Sequence, residues 1–200
     1  FRSKTFIGID FGTSTTIVSQ VTVSEDDKRL TSRPIPIKQF DDMGLTIEDI
    51  LVPTCIAWTG SQLLIGQGAA ALKTDYEYGK NIWFSFKMKL GIDLGKPYYR
   101  SLLSGDELPV TIQNPQQAAV VFFNYLREQI EYYVKENSLP KEIVYAVSVP
   151  ASFEANQRMD LVNALHDAGL KIPEYGIIDE PNAAFISYLV ETIEYGKGVI

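Results

Sequence analysis

Runs rich in isoleucine, valine and threonine dominate the start of the chain, and such β-branched runs are typical of strands. Three of them cover residues 5–10, 15–23 and 32–37, and a polar loop at residues 24–29 separates the second from the third. A strand that turns directly into another strand predicts an antiparallel portion of a sheet.

Residues 38–113 follow a less regular pattern. Strands are predicted at residues 51–58 and 62–65, joined by the turn signal Thr59-Gly60-Ser61. The remainder of this stretch is rich in aromatic residues and glycine. We interpret it as a small separate subdomain whose second half is helical or rich in loops.

From residue 114 onward the pattern is that of a long helix followed by a strand. Asn114 is a helix cap and Pro115 fits the first helical position. Apolar residues then recur at spacings of three and four as far as Val134, which predicts a long amphipathic helix. Residues 143–149 are apolar on both faces, as in a strand covered on both sides.

The last part of the chain repeats this alternation. A second helix is predicted from about residue 154 to residue 168, with Met159, Val162 and Leu165 facing inward and Gly169 ending it. A short strand at residues 175–179 precedes a third helix, which has Pro181 in its first turn. The alternation predicts helices packed on a mostly parallel sheet, so the fold class is mixed α/β.

Composition narrows the classes of function. With 46% hydrophobic and 22% charged residues, the 200-residue chain is typical of a globular protein and not of a disordered one. Its net charge of −7 argues against a nucleic-acid partner, and no apolar run approaches the roughly 18 residues of a membrane span. The single cysteine, Cys55, fits a reducing compartment and is predicted to be a buried core residue.

The stretch IDFGTSTT at residues 9–16 carries the first candidate chemistry. Gly12 allows a sharp turn and a close approach of the backbone to an anion, whose oxygens successive N–H groups can hold. Thr13, Ser14, Thr15 and Thr16 add hydroxyl donors. At the carboxyl end of the strand, Asp10 lies where open α/β sheets place their ligands, and one carboxylate suffices to hold hydrated magnesium.

This stretch therefore predicts a hairpin turn that binds the phosphates of a nucleotide triphosphate. It matches neither GxxxxGK[ST] nor GxGxxG, the common phosphate-binding patterns. The alternative is an ordinary hairpin, since turns favour Asp, Gly, Ser and Thr for their own geometry.

Further motifs, together with residues 9–13, resemble the nucleotide-binding domain of heat-shock protein 70 (DnaK-type) chaperones. They are VPASF at 149–153, QR at 157–158, AGL at 168–170, IIDEPNAA at 177–184, IGQGAA at 65–70 and FSFKMKLG at 84–91. The resemblance covers essentially the whole chain and is strongest at residues 5–20 and 143–190. In the family, the residues after the glycine are usually Thr-Thr-Asn, so this chain resembles a divergent member.

The resemblance implies an actin-like ATPase fold, also called ribonuclease H-like, with a mixed five-stranded sheet, flanking helices and a small inserted α+β subdomain. The core subdomain would comprise residues 1–38 and 114–200, and the insert residues 39–113. In the family this unit is the first of two lobes around a nucleotide cleft. The second lobe, with another phosphate loop and the adenosine pocket, would lie outside this chain.

The resemblance also implies residue roles. Asp10 would hold magnesium through water, and Gly12, Thr13, Ser14 and Thr15 would line the phosphates. Lys87 matches the family's catalytic lysine, and Glu180 matches its glutamate that positions water or metal. The catalytic set is therefore predicted to be Lys87, Glu180 and Asp10, with ATP or ADP and Mg²⁺ as cofactors.

Plainer interpretations stand beside these roles. Lys87 would otherwise be one solvated lysine among several, and Glu180 a charge at a helix N-terminus. Pro150 and Arg158 match positions that relay nucleotide state in the family, or else are a strand terminator and a surface residue. His166 is assigned no chemistry, and Asp179 is expected beside the site or at the surface.

The predicted function is that of the first lobe of a chaperone ATPase. The intact protein would hydrolyse ATP with magnesium in the cytoplasm and act on a client protein through a domain outside this chain, with a possible co-chaperone. Residues 1–200 alone would hydrolyse little or none. The alternatives are a scaffold that holds nucleotide without hydrolysis, a sugar kinase or a filament protein of the same superfamily.

Overall fold

The computed structural model describes residues 3–23, 30–92 and 112–194. These residues form eleven strands: β1 Lys4–Phe11, β2 Thr15–Val23, β3 Leu30–Pro34, β4 Ile37–Phe40, β5 Thr46–Asp49, β6 Leu51–Pro53, β7 Cys55–Trp58, β8 Leu63–Ile65, β9 Ile82–Phe84, β10 Glu142–Val149 and β11 Ile177–Asp179. The four α-helices are α1 Gln67–Ala71, α2 Pro115–Glu136, α3 Ala155–Asp167 and α4 Glu180–Glu194, and 3₁₀ helices span Phe86–Lys89 and Glu174–Gly176. The predicted loop at 24–29 and the stretch 93–111 lie outside the described residues.

The main sheet is mixed, as predicted. Its strands follow the order β11-β10-β1-β2-β3. Strands β1, β10 and β11 are parallel, and β2 runs antiparallel to both of its neighbours, β1 and β3. A sixth strand, β6, joins the five that were expected. The sixth strand fits because β3 pairs only with residues 19–23 of β2, so residues 15–17 on the same edge are free to pair with β6.

The run at residues 51–58, predicted to be one strand, is divided at Thr54. β6 joins the main sheet, whereas β7 forms the centre of a separate three-stranded sheet with β8 and β9. Strands β4 and β5 form a two-stranded sheet of their own. Pro53, the last residue of β6, was a usable local signal for the end of that strand. Which sheet each half joins is decided by the neighbouring strands.

Helix α2 covers one face of the main sheet. Asn114 caps it by accepting a hydrogen bond from the Gln117 N–H, and its apolar face carries Phe122 and Phe123 into the core. The ring of Phe11, from β1, lies 4.7 Å from that of Phe123 and 6.1 Å from that of Phe122. Burial of such large rings is a main source of folding free energy.

Helix α3 packs on α2 through a different face from the one predicted. Leu161, Ala164 and Leu165 are fully buried, whereas Met159 is 61% exposed and Val162 is 44% exposed. The prediction of Leu165 was correct and those of Met159 and Val162 were wrong. Apolar residues at three-residue spacing occur on two adjacent faces of this helix. The face that carries Leu161 is the one that contacts α2 and is buried.

The described residues between β4 and α2 contribute to two core clusters. The smaller cluster includes Cys55, which is fully buried as predicted, and burial raises the pKa of that thiol to about 11. Ile56, Trp83 and Phe86 belong instead to the large cluster around the main sheet. The division into residues 1–38 plus 114–200 and residues 39–113 stays a prediction. None of the helices in the described part of the chain has the length and apolar character to cross a membrane.

Candidate functional site

Three parallel strands end at one edge of the main sheet, and each carries a polar side chain there. Asp10 on β1 lies opposite Ser148 on β10, and Asp179 on β11 lies opposite Val149. The Ser148 hydroxyl donates a hydrogen bond of 2.7 Å to the Asp10 carboxylate. Asp10 remains exposed, so Ser148 orients a carboxylate that is open to a ligand.

Ser148 is a site residue that sequence reasoning missed. It is a polar residue late in an otherwise mostly apolar strand, two positions before Pro150. That position was a usable signal, because a polar group near the carboxyl end of a buried parallel strand lies where ligands gather.

The turn between β1 and β2 has no room for a side chain at Gly12. A Cβ atom there would lie 2.0 Å from the Thr15 carbonyl oxygen. Thr54, between β6 and β7, holds this turn, since its hydroxyl donates to the Gly12 carbonyl at 2.9 Å and its N–H donates to the Ser14 carbonyl at 2.9 Å. The turn is therefore tied down through its carbonyl groups.

The donors of the same turn remain open. No hydrogen bond to another described residue engages the hydroxyls of Thr13, Ser14 or Thr15, or the N–H groups of Thr13 and Ser14. Thr16 is different, because it is fully buried and its hydroxyl lies 2.9 Å from that of Thr54. The expectation that Thr16 offers a donor to a ligand was wrong: inward alternation along β2 turns its side chain into the core.

Lys87 is almost completely buried and paired with Glu180. Its side chain is 2% exposed, and its Nζ lies 3.0 Å from Oε1 of Glu180, which is 43% exposed. The rings of Phe11 and Phe153 lie 5.6 and 5.8 Å from the ammonium. The interpretation of Lys87 as a solvated lysine was wrong. Glu180 does begin helix α4, but its carboxylate is also the partner of this buried cation.

The local backbone conformation positions Lys87 beside Glu180. It lies on the 3₁₀ helix that follows β9, after Ser85 in a left-handed conformation with φ of 55°. Beyond it, the Gly91 N–H donates to Asp160 at 2.7 Å and the Gly91 carbonyl accepts from the Asn156 amide at 2.7 Å. Two anchors on helix α3 thus fix the loop that carries the lysine.

A second ion pair lies beside the first. The Arg158 guanidinium bonds the carboxylate of Asp179, the residue before Glu180, and also donates to the Phe153 carbonyl. Pro150 follows the last residue of β10 and accepts a bond from the Phe153 N–H, so it does terminate the strand. His166 is 88% exposed at the far end of α3, beside Asp167.

These residues fit a phosphate group and a hydrated metal. The turn has no space for a side chain at Gly12. Its N–H and hydroxyl donors are unengaged within the described residues. In the described ranges no group of three histidine, cysteine or carboxylate side chains forms a metal cage. The exposed Asp10 carboxylate matches a cation that keeps several waters and uses one or two carboxylates, as magnesium does.

Comparison with known proteins identifies the family of the chain. The family model described as Hsp70 protein matches residues 6–200. The chain is 27% identical to a chaperone protein HscA homolog of Rickettsia felis, over 91% of this chain and 26% of that protein. It is 26% identical to the mitochondrial iron-sulfur cluster biogenesis chaperone of Saccharomyces cerevisiae, over 94% of this chain and 30% of that protein.

A third relative is the chaperone protein DnaK of Picrophilus torridus, which is 27% identical over 94% of this chain and 26% of its own length. The chain therefore spans between about a quarter and a third of the curated relatives that it matches. The chain belongs to the Hsp70 protein family.

Proposed function

We propose that this chain is the first lobe of the ATPase domain of a DnaK-like chaperone. The single observation that supports this most is the ion pair of 3.0 Å between Lys87 and Glu180. It lies at the same sheet edge as Asp10, because β1, β10 and β11 are parallel and end together. The family membership supports ATP as the nucleotide.

The proposed roles follow from the chemistry of each group. The N–H groups of the Gly12 turn and the hydroxyls of Thr13, Ser14 and Thr15 bind phosphate oxygens. Asp10, oriented by Ser148, would hold hydrated magnesium, which would supply positive charge to the phosphates.

Lys87 and Glu180 act on the reacting groups. The ammonium of Lys87 contacts the terminal phosphate and stabilises the negative charge that develops there. The carboxylate of Glu180 is half-exposed and accepts a hydrogen bond from the attacking water.

The remaining proposals concern the whole protein, of which this chain would be one part. Its magnesium-dependent ATP hydrolysis would control the grip of another domain on a client protein, with a co-chaperone as a possible regulator. We propose the cytoplasm as its location, although one relative is mitochondrial by name. If the second lobe completes the nucleotide site, residues 1–200 alone will bind nucleotide poorly and hydrolyse little or none.

The test compares two lysines on the same 3₁₀ helix in the full-length protein. We expect Lys87→Ala to lower kcat by about 10²–10³-fold, the usual cost of losing one charge-stabilising donor. Lys89→Ala is the matched control, because its ammonium bonds the Tyr78 hydroxyl at 2.6 Å and does not touch Glu180. Steady-state phosphate release is the measurement, with circular dichroism to verify folding.

Equal turnover in the two variants would contradict the assignment. If nucleotide bound tightly to both variants and to the unaltered protein without turnover, the scaffold alternative would be favoured. Loss of nucleotide binding in Lys87→Ala alone would assign the lysine to binding and not to the chemical step.

A further inference from the structure

A cavity lies at the opposite end of strand β10 from the site described above. It encloses about 730 Å³ between the last turn of helix α2, the start of β10 and the loop after α3. Its apolar surface comes from Val134, Leu139, Ile143 and Tyr145. Pockets of about 300–1,000 Å³ are typical of small-molecule sites. Glu142 is six residues from Ser148 along the strand, so about 20 Å separates the two ends.

Three lysines surround this cavity: Lys135 on α2, Lys141 before β10 and Lys171 after α3. All three are exposed. None of them forms an ion pair with another described residue, although the chain carries a net charge of −7. The three lysines come from separate elements and have no carboxylate partner in the described part of the chain. They give the rim of the cavity a positive charge.

The acidic residues at the cavity do not cancel that charge, because each already has a cation of its own. Glu131 lies 2.9 Å from Arg127, one turn earlier on α2. Glu142 lies 2.7 Å from Lys4, on the neighbouring strand. The three lysines at the rim therefore remain available to bind a negatively charged ligand.

Tyr145 adds a polar group within the apolar surface. The residue is only 4% exposed, yet its hydroxyl has no hydrogen-bond partner in the part of the chain that the structure describes. It is also not among the polar atoms that are sealed from solvent, so it opens onto the cavity. Burial raises the pKa of Tyr145 to about 12, which keeps the hydroxyl protonated and able to donate.

We propose that this cavity binds a small amphipathic organic anion, a carboxylate with an apolar body. The carboxylate meets Lys135, Lys141 and Lys171 and accepts a hydrogen bond from the Tyr145 hydroxyl. The apolar body covers the surface around Leu139. The proposal is independent of the nucleotide site, because none of these residues belongs to it.

The experiment uses two fluorescent probes of nearly the same shape on the full chain. The anion is 1-anilinonaphthalene-8-sulfonate and the neutral analogue is N-phenyl-1-naphthylamine, and decanoate serves as a carboxylate competitor. We expect the triple variant Lys135→Ala/Lys141→Ala/Lys171→Ala to weaken the anion and decanoate roughly tenfold. The neutral probe should bind that variant as it binds the unaltered chain.

Three lysines away from the cavity provide the matched control, Lys73→Ala/Lys80→Ala/Lys89→Ala, which changes net charge equally. Tyr145→Phe keeps the ring and removes only the hydroxyl, so it tests the site without disturbing the fold. We expect it to weaken decanoate about threefold to tenfold. Equal losses in the two triple variants, or unchanged decanoate affinity in both Tyr145→Phe and the cavity triple variant, would overturn the proposal.

Discussion

Lys87 is the only charged side chain in the described part of the chain that the core encloses almost completely. An ammonium removed from water is costly unless a counter-charge meets it, and Glu180 is the carboxylate that does so. The free-energy cost of losing the partner is larger for Lys87 than for Glu180, because Glu180 is 43% exposed and water can hydrate it when the lysine is absent. Because only Lys87 is buried, substitutions of the two residues are expected to affect stability differently.

The two halves of this pair are expected to respond differently to substitution. Glu180→Gln leaves a buried ammonium without its counter-charge and should lower the free energy of unfolding by about 1–3 kcal/mol. Lys87→Met replaces the ammonium with an apolar chain of similar length and should leave stability nearly unchanged or raise it. Urea unfolding measures both, and an equal loss in the two variants would contradict the interpretation.

Gly12 and Gly8 lie on or beside the same strand and form a matched pair. A Cβ at Gly12 would meet the Thr15 carbonyl at 2.0 Å, whereas a Cβ at Gly8 would meet no heavy atom within 4 Å. We expect Gly12→Ala to destabilise the protein by roughly 1–3 kcal/mol, as overpacking does, and to weaken nucleotide binding by the full-length protein. Gly8→Ala should change neither quantity, and thermal unfolding with nucleotide titration checks both.

At the scale of the elements, the junction of β6 and β7 supports the β1–β2 turn. Thr54 lies between β6 and β7, and its hydroxyl and N–H donate to the Gly12 and Ser14 carbonyls of the turn. The loop after the lysine-bearing 3₁₀ helix is fixed on α3 in the same way. The candidate site therefore depends on contacts between elements that are far apart in the sequence.

Removal of the Thr54 hydroxyl tests this support. Thr54→Val keeps the β-branched shape but loses the bonds to the Gly12 carbonyl and to Thr16, so unfolding should require about 1–3 kcal/mol less. The loosened turn should also lower phosphate affinity. Thr22→Val is the control, because that hydroxyl bonds only the exposed Thr31. An equal effect at the two positions in chemical unfolding would refute the supporting role.

At the scale of the whole molecule, a buried thiol and two buried tyrosine hydroxyls make the stability of the fold depend on pH in the alkaline range. Burial raises the pKa of Cys55 from 9.0 to about 11 and those of Tyr125 and Tyr145 from 10.0 to about 12. In the unfolded chain these groups lose their protons at the lower values. The folded state therefore binds more protons above about pH 9, and raising the pH favours unfolding.

We therefore expect the free energy of unfolding to fall as the pH rises from about 9 to 11, by up to roughly 1.4 kcal/mol per pH unit for each group. Tyr125→Phe and Tyr145→Phe should each make that fall less steep. Tyr175→Phe is the control, since Tyr175 is 81% exposed. Urea unfolding at several pH values measures the slopes, and identical slopes in all variants would exclude the effect.

Local pattern was sufficient to predict most of the helices and strands. The apolar spacing after Asn114 predicted α2, and β-branched runs predicted β1 and β2 with the Gly12 turn between them. Motif resemblance singled out Lys87 and Glu180 before any contact was known. Periodicity, capping and turn chemistry act over a few residues, so a single sequence carries them in full.

Only the tertiary structure decided which groups meet. Lys87 pairs with a carboxylate 93 positions away, and Asp10 is oriented by a serine 138 positions away. The buried face of α3 and the division of residues 51–58 between two sheets were also set by neighbours and not by local spacing. Strand pairing brings such distant residues together, and pairing partners are not encoded in the period of any one element.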